Sequence, residues 1–204
     1  MHKPTSNVAD RPHHSRRSWA IALAGAVVLA GGAIAATAPL TQASAPPGAP
    51  FRIEEVADLD QPWAMTFLPD GRMLITEKAG QLLLLSADGK QRKTVTGTPP
   101  VMSQGQGGLM DVVLHPRFSE NRMVYFSYSE ADGKDMGVVL ARGVFTDGDA
   151  PSLRNVQTLF RGQKYDTTTG HFSGRIAFSP DGKLFFTVGD RQQWDVFQRT
   201  PQQD

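Results

Sequence analysis

The 204-residue chain contains no cysteine. Disulfide staples, thiolate nucleophiles and cysteine-ligated metal centres are therefore excluded, and on export there are no thiols to mispair. An excess of charge of one sign is also lacking: 21 Lys and Arg face 20 Asp and Glu. That balance cannot steer the chain to nucleic acid or to an anionic surface. Histidine is scarce, and beyond residue 45 only His115 and His171 remain as imidazole bases. No stretch beyond residue 45 carries apolar residues at helical spacing, which argues against a helical bundle. The long apolar run is confined to Trp19 through Ala38.

That run follows Arg16-Arg17 and precedes small, Pro-rich residues, the three-part plan of an export signal. The paired arginines after Ser15 resemble a twin-arginine signal. Ala43 offers the best processing site, because cleavage after Ala38 or Ala45 would leave Pro39 or Pro46 next to the bond. At about 20 residues the run is also long enough to span a bilayer, so residues 1–45 are an export signal or an N-terminal anchor, with residues 19–38 as the tether. Both readings place the folded part outside the cytoplasm, in the periplasm. Without residues 1–45 the chain keeps 17 basic and 19 acidic side chains, a net of −2. Residues 46–50, Pro-Pro-Gly-Ala-Pro, form a stiff linker, and a folded domain runs from residue 51 to residue 204.

Within that domain one phrase recurs, an apolar run, a Pro-Asp-Gly turn and a second apolar run. It spans Ala64 to Thr76 around Pro69-Asp70-Gly71, and Arg175 to Val188 around Pro180-Asp181-Gly182. A looser copy with a longer turn spans Met110 to Phe126. Pro presets the turn φ and Gly accepts a positive one, so each copy predicts a β-hairpin. Further strands are expected at Phe51–Leu59, Gln81–Leu85, Val138–Phe145 and Asn155–Phe160. Polar, Gly-containing loops are expected at 97–108 and 162–172. Repeated hairpins with inserts between them imply an all-β fold, a β-propeller of four-stranded blades. At about 40 to 50 residues per blade the domain holds three to four blades, fewer than a closed ring needs, so an incomplete N-terminal part is expected.

Several phrases in this order resemble the soluble quinoprotein glucose/sorbosone dehydrogenase family, particularly its periplasmic aldose sugar dehydrogenase branch. They are Leu59-Asp60-Gln61-Pro62-Trp63-Ala64, Gln106-Gly107-Gly108-Leu109 with Leu114-His115-Pro116, and Gly170-His171-Phe172-Ser173-Gly174-Arg175 continuing to Val188-Gly189-Asp190-Arg191. The resemblance covers residues 59–204 and about the N-terminal half of a family member. It implies a six-bladed propeller that binds pyrroloquinoline quinone (PQQ) and calcium. Such a protein oxidises the anomeric carbon of aldose sugars to lactones and passes electrons to an external acceptor.

Hydride removal from a hemiacetal carbon needs a base for the hydroxyl proton, and histidine suits that task near neutral pH. The resemblance puts His171 at the base and quinone-contacting position, and leaves His115 structural. It gives Asp190 the role of holding the imidazole, with a substrate contact besides, although Gly189-Asp190 could equally be a plain turn. Gln106 matches a glutamine of the sugar and quinone pocket, with Gln104 as the alternative one register away. Arg191 either faces the pocket mouth as a substrate contact or is a surface arginine. Trp63 is expected in the core. Gln192-Gln193-Trp194-Asp195 departs from the glycine-containing sequence expected there. The cationic quinone clamp and the calcium ligands are expected beyond residue 204, so residues 1–204 alone are expected to show little activity. Two other readings remain: a non-catalytic propeller binding glycan or protein, and a calcium-dependent propeller lactonase.

Overall fold

The computed structural model describes residues 46–165 and 169–193; the expected export signal or anchor lies outside them. Ten strands form three antiparallel sheets, each a meander in sequence order. The first sheet holds β1 (Pro62–Phe67), β2 (Met73–Glu77), β3 (Leu82–Leu85) and β4 (Arg92–Val95). The second holds β5 (Leu109–Leu114), β6 (Met123–Asp132), β7 (Asp135–Thr146) and β8 (Ser152–Arg161). The third pairs β9 (Ser173–Phe178) with β10 (Leu184–Val188). Among the described residues this makes two complete blades and the start of a third, a partial propeller with no closed ring, where three to four blades were expected.

The turn chemistry explains the hairpins. At Pro69-Asp70-Gly71 the Leu68 N–H donates to the Arg72 carbonyl at 2.8 Å and Gly71 N–H returns to the Leu68 carbonyl at 2.9 Å. Gly71 holds φ 87, which a side chain would resist. Pro180-Asp181-Gly182 repeats the pattern, with Ser179 to Lys183 and Gly182 to Ser179, both at 2.9 Å. The looser copy replaces the turn by one helical turn, α1 (Phe118–Asn121). There His115 Nδ1 accepts the Arg117 N–H at 3.0 Å and lies 2.8 Å from Asn121 Nδ2, so this imidazole serves the turn.

Two expectations are corrected, and one strand joins those expected. Residues 51–59 form no strand. Their apolar side chains are interrupted by Glu54, Glu55 and Asp58, and the segment is held by Ala57 and Leu59 packing on Met73, Ile75, Leu83 and Leu85. Conversely, the polar run Arg92–Val95 is a strand, because an edge position asks for little burial. Trp63 is 39% exposed rather than core. Ala64 turns toward the second sheet, so Trp63, Met65 and Phe67 share the opposite, exposed face, where the Arg175 guanidinium of β9 lies 5.6 Å from the Trp63 ring centroid.

Apolar side chains cement the sheets face to face. Leu74, Leu82, Leu84 and Val95 of the first pack on Val112, Phe126, Val139 and Phe145 of the second. Because β2 and β3 are covered on both faces, they read as unbroken apolar runs instead of alternating ones. Between second and third sheets lie Met110, Met136, Val138 and Phe172, and beside them Tyr125, Leu140 and Ile176.

Buried polar groups then fix the sheets in register. Thr76 accepts the Ala64 N–H at 3.0 Å and donates to the Met110 carbonyl at 2.6 Å, joining the first sheet to the second. Asp111 joins the second to the third: its carboxylate accepts Val112 N–H at 3.0 Å, Ile176 N–H at 2.7 Å and Arg175 NH1 at 3.0 Å. Ser127 accepts the Asp111 N–H at 3.0 Å and donates to the Gly174 carbonyl at 2.6 Å.

Replacing Asp111 by Ala strands these donors in a site where the side chain is 4% exposed. The expected loss is about 2 to 3 kcal/mol, read as a lower urea midpoint at unchanged slope. A second, exposed latch titrates. Arg72 binds Asp70 (Nε to Oδ2 at 3.0 Å) and Asp147 (NH1 to Oδ1 at 3.0 Å), linking a turn of each blade. Hydrogen bonds from Arg72 pull the Asp147 carboxyl down to about 2. A depressed folded value means the contribution is complete above pH about 4 and disappears as pH falls through about 2. Arg72→Met should therefore lower Tm by about 2 to 3 °C at pH 7, a gap that closes as pH falls from about 4 to about 2.

Candidate active site

The loop at 97–108 runs between β4 and β5, and the start of β5 is moored where Leu109 N–H meets the Lys78 carbonyl at 3.1 Å. Ser129 holds the loop from beneath, accepting Gly108 N–H at 2.7 Å and donating to the Met102 carbonyl. A tight turn closes when Gly107 N–H bonds the Gln104 carbonyl at 2.9 Å. The loop thereby delivers Gln106 to the other Gly-containing loop. Gln106 N–H donates to the Thr169 carbonyl at 2.7 Å, and its side-chain Oε1 accepts the His171 N–H at 2.8 Å. Gln106, and not Gln104, reaches His171. With Oε1 engaged, its amide NH2 faces any further partner as a donor only.

His171 precedes β9, and Asp190 follows β10, so one hairpin brings both to the same blade end. Gly189 N–H bonds the Phe172 carbonyl at 3.1 Å, and Arg191 N–H bonds the His171 carbonyl at 3.3 Å. Across this closure His171 Nδ1 lies 2.7 Å from Asp190 Oδ1. A carboxylate only accepts, so Nδ1 carries the proton and Nε2 is the basic nitrogen of the ring. Asp190 Oδ1 also takes the Gln192 N–H at 2.9 Å. That backbone donor, and after it the His171 ring, holds the Asp190 carboxyl below the usual carboxylate range. Asp190 is thus ionised at neutral pH and able to orient an imidazole. Side-chain exposures of 38% for His171 and 30% for Asp190 leave the pair within reach of solvent.

Arg191 faces no pocket mouth and is no surface arginine. It is 1% exposed. Its Nε donates to the Gly170 carbonyl at 3.0 Å, NH1 donates to the Met136 carbonyl at 2.8 Å, and the guanidinium lies 3.6 Å from the Phe172 ring centroid. A left-handed backbone, φ 52, accompanies this inward turn of the side chain. Of the divergent segment that follows, Trp194 and Asp195 lie outside the described residues. Sequence reasoning passed over Asp111, whose signal was an acidic residue inside the apolar run Leu109-Met110-Asp111-Val112-Val113.

For PQQ, the donor set at this blade end is compatible: an amide NH2 on Gln106 and an imidazole base on His171 would suit a quinone oxygen and a hydroxyl proton. For calcium the described residues do not fit, because no group of three or more His, Cys, Asp or Glu among them is disposed to hold a metal ion.

Face-packed antiparallel meanders of this kind define part of a β-propeller. The family described as Glucose / Sorbosone dehydrogenase matches residues 59–204, and the chain belongs to that family. Among its relatives, aldose sugar dehydrogenase YliI of Escherichia coli (strain K12) is 40% identical over 149 residues, which is 71% of this chain and 40% of that one. Quinoprotein glucose dehydrogenase B of Acinetobacter calcoaceticus is 28% identical over 156 residues, 67% of this chain and 30% of that one. The apo crystal structure of the soluble E. coli aldose sugar dehydrogenase superposes with a TM-score of 0.65 at 40% identity, covering 72% of this chain and 43% of that chain. The PQQ-bound aldose sugar dehydrogenase of Streptomyces coelicolor gives 0.61 at 26% identity, covering 72% and 43%. The chain spans less than half the length of these relatives.

A Cβ on Gly189 would sit 1.9 Å from the His171 carbonyl oxygen. Gly189→Ala should spread the hairpin end, costing about 2 kcal/mol or more and speeding amide exchange at Arg191, with the β1–β4 sheet unaffected.

Proposed function

We propose that the protein is a quinoprotein sugar dehydrogenase that oxidises the anomeric carbon of aldose sugars to lactones, with His171 as general base. The observation that carries this reading is the 2.7 Å contact between His171 Nδ1 and an ionised Asp190, set against Gln106. Membership of a family whose relatives include sugar dehydrogenases, one of them with PQQ bound, supports it. PQQ, when bound, supplies an electrophilic carbon that accepts the hydride. His171 Nε2 takes the anomeric hydroxyl proton as the C–H bond breaks and the carbonyl forms. Asp190 stabilises the imidazolium that results and keeps the basic nitrogen turned to the sugar. Gln106 presents its NH2 to an acceptor oxygen of the sugar or the quinone. Electrons leave to an external acceptor.

The export plan at Arg16-Arg17 and the apolar run after it support a periplasmic location, either free or tethered through residues 19–38. No helix among the described residues is long and apolar enough to cross a membrane.

The test is dye reduction by the full-length protein given PQQ, calcium and a panel of aldoses. His171→Ala should lower kcat by about a thousandfold. Asp190→Ala should lower it by about ten- to a hundredfold, since His171 would remain but lose its orientation. Wild-type activity in His171→Ala would remove His171 from the mechanism. Equilibrium binding of sugar with no dye reduction by the wild type would favour the glycan-binding alternative.

A further inference from the structure

Among the described residues, four of the seven non-glycine residues with positive φ lie at this one blade end: His171 (50), Ser173 (62), Arg191 (52) and Gln192 (59). Left-handed backbone is unfavourable at an ordinary residue and persists only where its surroundings hold it. Asp190 holds the imidazole, Gln106 holds the His171 N–H, and the Gly189 and Arg191 N–H groups hold the Phe172 and His171 carbonyls, but the Gly170 carbonyl before His171 and the Phe172 ring after it need a separate restraint. Arg191 supplies one. Its Nε bonds the carbonyl of Gly170, the residue before His171. Its guanidinium lies on the ring of Phe172, the residue after His171, and NH1 anchors the assembly to the Met136 carbonyl on β7.

We propose that Arg191 is a positioning residue for the base: its buried guanidinium grips the main chain before His171 and the aromatic ring after it. It thereby fixes the left-handed turn from which the imidazole reaches Asp190. The planar fork is what the task requires. Its Nε and NH1 bond two carbonyls that point at it from different segments, while the flat face stacks on an aromatic ring. Lysine offers neither the fork nor the face. Burial pushes the Arg191 guanidinium down from its ordinary value, yet an arginine remains charged at any working pH. The grip is therefore independent of pH, as a support for a titrating base should be.

The inference rests on the reading of His171 as the base, so its test is read without cofactor or sugar. In the intact protein, proton NMR should show a low-field Nδ1–H resonance, assigned to His171 by its loss in His171→Gln. In Arg191→Met that resonance should disappear, or exchange with solvent about tenfold faster, while far-UV circular dichroism stays that of wild type. Arg191→Lys keeps the charge and should show the same loosening in milder form; it decides the matter if the Met variant does not fold. With quinone and aldose added, the same variants should lose kcat with KM little changed. A support that served only stability would lower Tm and leave the resonance of the folded protein where it was. That result in either folded variant overturns the proposal. A wild-type protein that reduces no dye would instead sink the dehydrogenase reading and leave the resonance experiment standing.

Discussion

A carboxylate buried between two β-sheets has to be met by donors, and Asp111 draws them from both sides of the gap. Val112 lies on its own strand, while Ile176 and Arg175 belong to β9. Apolar faces alone leave two sheets free to slide, because one buried methyl is nearly as good as the next. A hydrogen bond that misses its partner inside the core loses the whole desolvation cost of both groups. Asp111 and Ser127 therefore set the register of β9 on β5, with Ser127 fastened to the Gly174 carbonyl three residues beyond His171. Thr76 does the same between the first and second sheets. Among the described residues no buried side-chain polar atom is left without a partner. The polar residues inside this core are therefore pins rather than blemishes.

On that frame the site is assembled from main chain as much as from side chains. Gln106 presents itself through bonds to the Thr169 carbonyl and the His171 N–H. Gly189 lets the hairpin close so tightly that no side chain fits against the His171 carbonyl. Asp190 gains its low proton affinity first from the Gln192 N–H and then from the imidazole. Each contact restricts His171 in a different way, at its ring, its N–H or its flanking backbone. An imidazole held at so many points spends little entropy on orienting itself.

Much of the architecture was legible in the sequence, because turn chemistry is local. Two Pro-Asp-Gly phrases placed two hairpins, and the strands between them followed from apolar runs bounded by polar turns. What escaped depended on partners far along the chain. Nothing within Arg92–Val95 marks it as an edge strand, and only the Leu82–Leu85 strand beside it makes it one. Residues 51–59 look strand-like alone but find no described edge to pair with. Trp63 and Arg191 were misjudged for opposite reasons. A large aromatic was assumed buried, although the alternation of β1 sends it outward. An arginine was assumed exposed, although two carbonyls and a ring were waiting for it. Family resemblance pointed to His171, Asp190 and Gln106, and the fold brings Gln106 rather than Gln104 to the His171 N–H.

The two contacts of His171 differ in what they depend on. His171 and Asp190 sit at the two ends of one hairpin, 19 residues apart, and meet once that hairpin closes. Gln106 comes from 65 residues upstream, on a loop moored to the first two sheets, and meets His171 only if the third sheet docks correctly on the second. The hairpin contact is local, and the contact from the loop carries the cost of docking. Loosening the interface at Asp111 should then part Gln106 from His171 well before it parts His171 from Asp190. His171 would keep its carboxylate partner and its tautomer while losing Gln106. The Gln106 contact is therefore delegated to the packing between blades, whereas the His171–Asp190 contact is made within a single hairpin.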